Sequence, residues 1–295
     1  MMEITVTDMR AVPGDSAFLI DDGVTAVLYD SGFAFTGGII AENIRKQLGE
    51  RPLEYILLSH SHYDHVLAVP YIKRIYPKAR VVAGRHAAQV FARPSARAVM
   101  RQLNEKAAAK YGAAPWEDRI DELQVDITVE DGDRITCGGL HFTAVGLPGH
   151  TRCAVGYYLH ERKLLLGVET LGVYFGGDTY LPSFLVGYQM TLDSFQRAKG
   201  LGAEEMLLPH YGLADQEALR RYLDRSEAAT RQTADRILTL LQQGRTEEEI
   251  LALCEREDYR DNVSPIYPID AFYLNTAIMI GQTQKELLQK NTEAE

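Results

Sequence analysis

Short apolar runs alternate with helix-like segments in the first third of the chain. Two β-prone runs flank Asp22-Gly23, a pair that favours a tight hairpin turn. A helical pattern then stops at Gly49, a residue type common at helix C-termini. The predicted elements here are strands at 17–21, 24–30, 55–59 and 79–83, and helices at 39–48 and 66–76. This order is typical of α/β proteins, whose ligands bind beyond the C-terminal ends of strands.

Residues 85–123 interrupt this pattern. The segment is rich in Ala, Arg, Gln and Glu, has a helical period and contains the only tryptophan, Trp116. We therefore predict a helical insertion. Strand signals return afterwards, at 125–129, 133–137, 141–145, 153–159 and 163–167. They predict a second β-rich half that faces the first.

Helical patterns dominate the rest of the chain. A long amphipathic pattern covers residues 215–243. Thr246 and Glu249 then form a capping box, which predicts the start of a second helix. A third helix is predicted at about 269–288, after two prolines.

Composition adds constraints on class and location. No window approaches the roughly 18 consecutive apolar residues that a membrane span needs. The net charge of −10 opposes nucleic-acid binding, which depends on basic surfaces that neutralise phosphates. Three widely spaced cysteines argue against a disulfide framework or a zinc knuckle. The N-terminus lacks the basic-then-apolar layout of a signal peptide, so we expect a cytoplasmic protein.

Four side chains of metal-binding type lie within six residues: His60, His62, Asp64 and His65. They follow a predicted strand and precede a predicted helix, so a tight turn can aim all of them at one pocket. Imidazole and carboxylate ligands suit zinc, iron or manganese. His150 and His210 also follow strand-like segments. The pattern predicts a metal site, and solvated histidines in a polar loop are the alternative.

The run from His60 to His65 resembles the signature of the metallo-β-lactamase superfamily, whose other motifs appear in order. Asp30 matches the first motif, an Asp that usually supports the site without binding metal. Pro148-Gly149-His150-Thr151 matches the third motif, and Leu208-Pro209-His210-Tyr211-Gly212 matches the fifth. Each of these two motifs contributes a histidine ligand in the family. The resemblance covers roughly residues 4–215.

The resemblance implies an α+β fold, a four-layer αββα sandwich of the metallo-β-lactamase type with a helical insertion and C-terminal helices. We expect the catalytic domain at 1–214, with the insertion at about 85–123. A C-terminal helical extension at 215–295 would then cap the core. In family members of the glyoxalase II type, terminal helices wall the substrate cleft, and the extension suggests a similar arrangement here.

The fourth motif departs from the family pattern, which places a metal-bridging Asp after an apolar strand. Glu169 occupies that position, directly behind the apolar run at 164–168. Asp178 lies in a Gly-Gly-Asp-Thr turn that looks more like the usual motif, but no comparable apolar strand precedes it. We favour Glu169 as the bridging carboxylate and keep Asp178 as the alternative.

The family pattern implies two divalent cations per chain, with zinc as the first expectation and iron or manganese as alternatives. The expected ligands are His60, His62 and His150 for one ion, and Asp64, His65 and His210 for the other, with Glu169 between them. A hydroxide held between the ions would attack an ester, thioester, lactone or phosphodiester bond of a small molecule.

Two residues are candidates for proton transfer. Asp64 is expected to accept a proton from the nucleophile, a role that the family often assigns to this Asp. Tyr211, next to His210, is the first of several aromatic residues near the motifs that could polarise a carbonyl group or protonate a leaving group.

Other functions stay open. Some superfamily members reduce oxygen or nitric oxide at a di-iron site, and others oxidise sulfur compounds at a single iron. The di-iron reductases usually depend on a flavodoxin-like domain, which we do not find in the sequence, and commonly carry Glu where this chain has His62. A metal-binding sensor without turnover is a further alternative. We expect a small-molecule substrate, no nucleic-acid or membrane partner, and allow for a homodimer.

Overall fold

The computed structural model describes residues 3–289. Within them, two six-stranded sheets face each other across a shared apolar core. Helices cover the outer face of each sheet. The predicted α+β sandwich of four layers, in the order αββα, is confirmed.

The first sheet contains, in spatial order, β1 (Thr5–Asp8), β2 (Phe18–Asp21), β3 (Ala26–Tyr29), β4 (Tyr55–Leu58), β5 (Arg80–Gly84) and β6 (Ile127–Val129). The first three strands are antiparallel, whereas β3 to β6 run parallel. The loops that follow these parallel strands therefore begin at one edge. The assignment of residues 125–129 to the second half of the sandwich is wrong, because β6 pairs with β5, with Ile127 opposite Val82.

The remaining strands are β7 (Arg134–Cys137), β8 (Leu140–Gly146), β9 (Val155–Leu159), β10 (Leu164–Leu166), β11 (Val173–Tyr174), β12 (Tyr180–Leu181), β13 (Glu205–Leu208) and β14 (Gly212–Ala214). The second sheet has the order β14-β13-β10-β9-β8-β7, and β11 and β12 form a separate hairpin. Only β10 and β13 are parallel neighbours among these described strands. Residues that follow β10 and β13 consequently leave the sheet at the same edge.

The helices are α1 (Gly37–Leu48), α2 (Tyr63–Val66), α3 (Val69–Ile75), α4 (Arg85–Phe91), α5 (Pro94–Lys110), α6 (Tyr188–Gly200), α7 (Gln216–Gln242), α8 (Glu247–Asp258) and α9 (Ile269–Thr283). The single helix predicted at 66–76 is wrong, because the segment forms the end of α2 and then α3. Pro70 lies in the first turn of α3, where a residue without an N–H is tolerated but cannot continue a preceding helix. The sequence patterns also missed β1 and α6.

Strand β3 shows how the layers are filled. Alternate side chains point to opposite faces of a strand. Leu28 packs on the helix side with Ile40 and Ile44 of α1, whereas Val27 and Tyr29 face the second sheet. Both faces are covered, so the whole strand is apolar and buried. The Tyr29 hydroxyl donates a 2.7 Å hydrogen bond to the Gly167 carbonyl and so joins the two sheets at the C-terminal ends of β3 and β10.

The C-terminal helices pack around an apolar cluster of their own, to which α6 also contributes. The capping box at the start of α8 is confirmed by reciprocal bonds between Thr246 and Glu249. Helix α9 continues into a π-helical turn at Gln284–Leu288. Within residues 3–289, no helix is long and apolar enough to cross a membrane. The three cysteines are buried free thiols.

Candidate metal centre

The motif residues converge in loops at the C-terminal ends of strands from both sheets. His60 and His62 follow β4, and Asp64 and His65 lie in α2, the short helix that comes next. The second sheet contributes three loops, which carry His150 after β8, Glu169 after β10 and His210 after β13. Ligand-type atoms form two groups, in each of which these atoms lie within 4.8 Å of one another: His60, His62, His150 and Glu169, and Asp64, His65, Glu169 and His210.

The first group is held by hydroxyl groups. Nδ1 of His60 lies 2.9 Å from the Ser59 hydroxyl, and Nδ1 of His150 lies 2.6 Å from the Ser183 hydroxyl. These contacts leave Nε2 of both rings facing the centre. His62 approaches with the other nitrogen, because its Nδ1 is 2.8 Å from His150 Nε2. Its side chain is 36% exposed, so this group is open to solvent at His62.

The second group is held by a carboxylate and a main-chain carbonyl. Nδ1 of His65 donates to Asp30 Oδ2 over 2.7 Å, and Nδ1 of His210 donates to the carbonyl oxygen of Asp15 over 3.1 Å. Nε2 of both rings lies 3.8 Å from Asp64 Oδ2. Outer partners of this kind fix the ring orientation of metal-binding histidines.

Glu169 joins the two groups. Its Oε2 lies 2.6 Å from Nε2 of His150, and its Oε1 lies 2.8 Å from Nε2 of His210. The two oxygens of one carboxylate therefore face different groups. Asp178, the alternative considered from the sequence, has a side chain that is 83% exposed and paired with Arg225. The structure places Glu169, and not Asp178, among the histidines.

Asp30 supports the centre from the outside. Its backbone is in the left-handed region, with φ of 55°, which turns the chain sharply at the end of β3. Its oxygens accept hydrogen bonds from the Ser59 amide, the Ser59 hydroxyl and the Ser16 hydroxyl, over 2.8–3.0 Å, besides the one from His65. The carboxylate is saturated and buried, in accord with a supporting position rather than a ligand position.

Three inward-facing atoms of the centre have no hydrogen-bond partner within residues 3–289: His60 Nε2, His65 Nε2 and Asp64 Oδ1. Buried polar atoms without partners cost about 1–3 kcal/mol each, so they are rare in native proteins. Two imidazole nitrogens and a carboxylate oxygen that converge in this way match the donor set of zinc and related cations. The residues present therefore fit divalent metal ions.

Protonation of the histidines agrees with this fit. Burial, together with the neighbouring His65, lowers the pKa of His60 to about 3. Burial and the nearby His150 also hold the pKa of His62 well below its usual value. Both rings are thus neutral and keep a lone pair for a cation. Burial alone would raise the pKa of Glu169, but His150 and other histidines hold it well below its usual value.

His210 has a strained backbone and an anchor that the sequence patterns did not predict. Its φ is 61°, an uncommon conformation for a residue with a side chain. The Arg10 guanidinium donates to the carbonyl oxygens of His210 and Tyr211. Arg10 is held in turn by a forked contact with Asp8 and lies 5.2 Å from the Phe18 ring centre. No sequence motif marks Arg10, because the carbonyl groups that it holds lie about 200 residues away.

Tyr211 does not reach the centre through any contact of the described residues. Its side chain is 46% exposed, and its ring packs edge-on against Tyr174 at 4.4 Å between ring centres. Other tyrosines lie closer, since Tyr63, Tyr111 and Tyr267 line a cavity beside Asp64, Glu169 and His210. Neither Tyr111 nor Tyr267 is near a motif in the sequence.

The metallo-beta-lactamase superfamily model matches residues 12–210. The chain belongs to this superfamily. The match includes every residue of the two ligand groups and excludes the C-terminal helices.

The relatives that it resembles are distant. It is 25% identical over 178 residues to the metallo-beta-lactamase fold-containing protein ST1585 of Sulfurisphaera tokodaii, across 58% of this chain and 65% of that protein. It is 27% identical over 158 residues to a hydroxyacylglutathione hydrolase of Brucella anthropi, across 51% and 47%. It is 24% identical over 195 residues to the human acyl-coenzyme A thioesterase MBLAC2, across 64% and 67%. The chain thus spans from about half to two thirds of the length of these relatives.

Solved structures agree on the fold. The metallo-beta-lactamase family protein TTHA1429 of Thermus thermophilus matches with a TM-score of 0.64 and 17% identity, over 96% of this chain and 93% of that one. ST1585 itself matches with a TM-score of 0.57 and 19% identity, over 93% and 94%. Both matches extend through the C-terminal helices, beyond the segment covered by the family model.

Proposed function

We propose that this protein is a metal-dependent hydrolase that holds two divalent cations and cleaves an ester, thioester, lactone or phosphodiester bond in a small molecule. The observation that carries the proposal is the centre itself. Two largely buried groups of histidine and carboxylate atoms share one carboxylate, Glu169, and include three inward-facing atoms without partners among the described residues. Hydrolytic two-metal sites need such paired, carboxylate-linked positions.

The residues divide naturally between two ions. His60, His62 and His150 would hold one ion, and Asp64, His65 and His210 the other, with Glu169 contacting both. When bound, such ions polarise a substrate oxygen and lower the pKa of water toward neutrality. The donor set contains no thiolate, so zinc is the first expectation, and iron or manganese are the alternatives.

Asp64 is the residue best placed to hold a proton during hydrolysis. Its Oδ1 is buried and has no hydrogen-bond partner among the described residues. Burial raises the pKa of Asp64, a shift that His65 and His210 partly oppose and Glu169 reinforces. A carboxylate with a raised pKa accepts a proton more readily near neutral pH. The catalytic role of Tyr211 stays a prediction, and its position does not support it.

The relatives favour hydrolysis of carbonyl compounds. The matched proteins include hydroxyacylglutathione hydrolases and an acyl-coenzyme A thioesterase, at 24–31% identity. These activities are those of the relatives. For this chain they narrow the first substrates to be tried to esters, thioesters and lactones.

The test begins with elemental analysis of the purified protein, which we expect to give two metal ions per chain. Hydrolysis of ester, thioester, lactone and phosphodiester panels should be lost with a chelator and restored by added zinc or manganese. Asp178→Asn removes an exposed carboxylate and serves as the control that keeps activity. Turnover that resists complete metal removal would contradict the proposal, and so would a protein that binds no metal.

A further inference from the structure

A narrow cavity lies against the second ligand group. Its floor is formed by Asp64, Glu169 and His210. The remaining walls are largely aromatic and aliphatic: Phe33, Tyr63, Tyr111, Val173, Phe175 and Ile266–Pro268 directly before α9. A group bound in this cavity would touch the metal-site carboxylates on one side and apolar side chains on the others.

A second narrow cavity continues the first one away from the metal centre. It lies between the β11–β12 hairpin and the C-terminal helices, where Cys254 of α8 and Thr276 and Met279 of α9 line it. Three residues line both cavities: Val173, Phe175 and Tyr267. The second cavity also reaches Ser183, whose hydroxyl holds His150. The first cavity therefore adjoins the metal centre, and the second adjoins the first and the outer side of His150.

The lining of the two cavities favours an uncharged, apolar guest. Among the described residues that line them there is no lysine or arginine. The one carboxylate of the second cavity, Asp258, is already paired with Arg236. Cys254, Thr276 and Met279 are buried, yet they leave a slot unfilled, whereas protein interiors are normally close-packed. A narrow and mainly apolar slot suits a thin chain better than a branched or charged group.

We infer that the substrate is an ester or thioester of an unbranched apolar acyl group, whose chain occupies these two cavities in succession. This inference rests on the proposed hydrolase function. In the reaction, the water oxygen bonds to the acyl carbon and the carbon–oxygen or carbon–sulfur bond breaks. The leaving group takes one proton of the water, and the acyl group departs as a carboxylate after it releases the other proton.

Phe175 and Tyr267 line both cavities, and we call the gap between their rings the passage. Their ring centres are 6.0 Å apart in an edge-to-face arrangement. The segment that carries Tyr267 is tied to the helical insertion, since the Tyr111 hydroxyl donates to the Ile266 carbonyl and Lys110 donates to the Tyr267 carbonyl. Phe175 precedes two glycines with positive φ at the tip of the β11–β12 hairpin. An acyl chain that extends from the first cavity into the second must pass the Phe175 ring, which lies on the side of the β11–β12 hairpin.

The first experiment measures kcat/KM for a series of p-nitrophenyl esters from acetate to dodecanoate. We expect octanoate to exceed acetate by at least about tenfold, because each buried methylene is worth about 0.8 kcal/mol. Thr276→Phe fills the second cavity and should reduce the octanoate-to-acetate ratio of kcat/KM to nearly 1. Thr283→Phe places the same bulk at a buried position of α9 outside both cavities and should keep it.

Two further measurements guard against a variant that fails to fold. Phe175→Ala widens the passage at a partly exposed position, and it should move the preferred chain length upward. Calorimetric titration with sodium octanoate and sodium acetate measures how tightly the cavities bind each acid, without any turnover. Octanoate should bind at least about tenfold more tightly than acetate, also to the Glu169→Gln protein.

The outcomes separate the two proposals. Hydrolysis with no dependence on chain length, together with equal binding of octanoate and acetate, would overturn the acyl-chain inference and leave the hydrolase proposal intact. Preferential octanoate binding that Thr276→Phe abolishes, in a protein that hydrolyses no ester, thioester, lactone or phosphodiester, would reject the proposed function and support the cavities as an acyl site.

Discussion

The two halves of the proposed metal centre use similar side chains but different support. In the half formed by His60, His62 and His150, neutral serine hydroxyls hold the rings, and His62 is open to solvent. In the half formed by Asp64, His65 and His210, the Asp30 carboxylate and a main-chain carbonyl hold the rings beside an apolar cavity. The open half offers access for water, and the enclosed half faces the cavities proposed for the acyl group.

Charge separates the halves further. Burial alone would lower the pKa of His65, but the carboxylates of Asp30 and Asp64 outweigh it and raise this pKa well above its usual value. His60 has no such outer carboxylate, and its pKa falls to about 3. The enclosed half thus adds the carboxylates of Asp30 and Asp64 to that of Glu169, whereas the open half has neutral imidazoles and the shared Glu169 alone. The following predictions test this difference.

The largest effect is expected at the carboxylate that belongs to both halves. Glu169→Gln removes the charge that faces His150 and His210 and should reduce turnover to the level of chelated wild-type protein. Elemental analysis should show the loss of at least one ion per chain. Asp178→Asn is the matched control, since it neutralises the exposed alternative carboxylate. Equal effects of the two substitutions would contradict the assignment of Glu169 to the centre.

Removal of one histidine from each half should affect stability unequally. His65→Ala leaves the buried Asp30 carboxylate without its ring partner, which typically costs about 3–5 kcal/mol. His62→Ala removes a partly exposed ring and should cost less than about 1.5 kcal/mol. Urea unfolding of the two metal-free variants measures the difference. A larger loss for His62→Ala would reverse the order of support that the contacts indicate.

The outer partners should show the same asymmetry in metal affinity. Asp30→Asn should weaken binding of one ion by about 10- to 100-fold, the usual range for outer-sphere carboxylates. Ser183→Ala removes the hydroxyl that contacts Nδ1 of His150, and it should weaken metal binding by about tenfold or less. Competition with a calibrated chelator reports both affinities. If Ser183→Ala proved the more damaging change, the neutral hydroxyl and not the carboxylate would be the stronger support.

Arg10 should produce an effect at the low end of this range, confined to the enclosed half. Arg10→Gln removes the donors that hold the carbonyls of His210 and Tyr211, and we expect one of the two metal-binding steps to weaken by about tenfold. Arg10→Lys should restore only part of the lost affinity, because lysine keeps the charge but lacks the forked geometry that binds Asp8. Arg51→Gln, which breaks a comparable pair with Asp21, is the control that should leave both steps unchanged.

The strand-and-helix order of the first half could be predicted because apolar runs, hairpin residues and helix stops are local features. The predictions were wrong where a segment remote in the sequence decided which strands pair. Residues 125–129 were predicted to start the second β-rich block. They complete the first sheet instead, because the helical insertion returns the chain to β5. Strand β1 escaped notice because it is short and only partly buried at a sheet edge.

The sequence by itself determined the family and the types of side chain at the centre, since six residues hold three histidines and an aspartate in the order of a known family. Tertiary structure decided how these residues are used. It brought Glu169 between two histidine groups and left Asp178 exposed, placed Tyr211 outside the centre, and joined Arg10 to His210. It also built the cavities from Tyr111, Tyr267 and the C-terminal helices. The reason is physical: ligand type is a property of each side chain, but distance, burial and charge environment arise only when remote segments pack together.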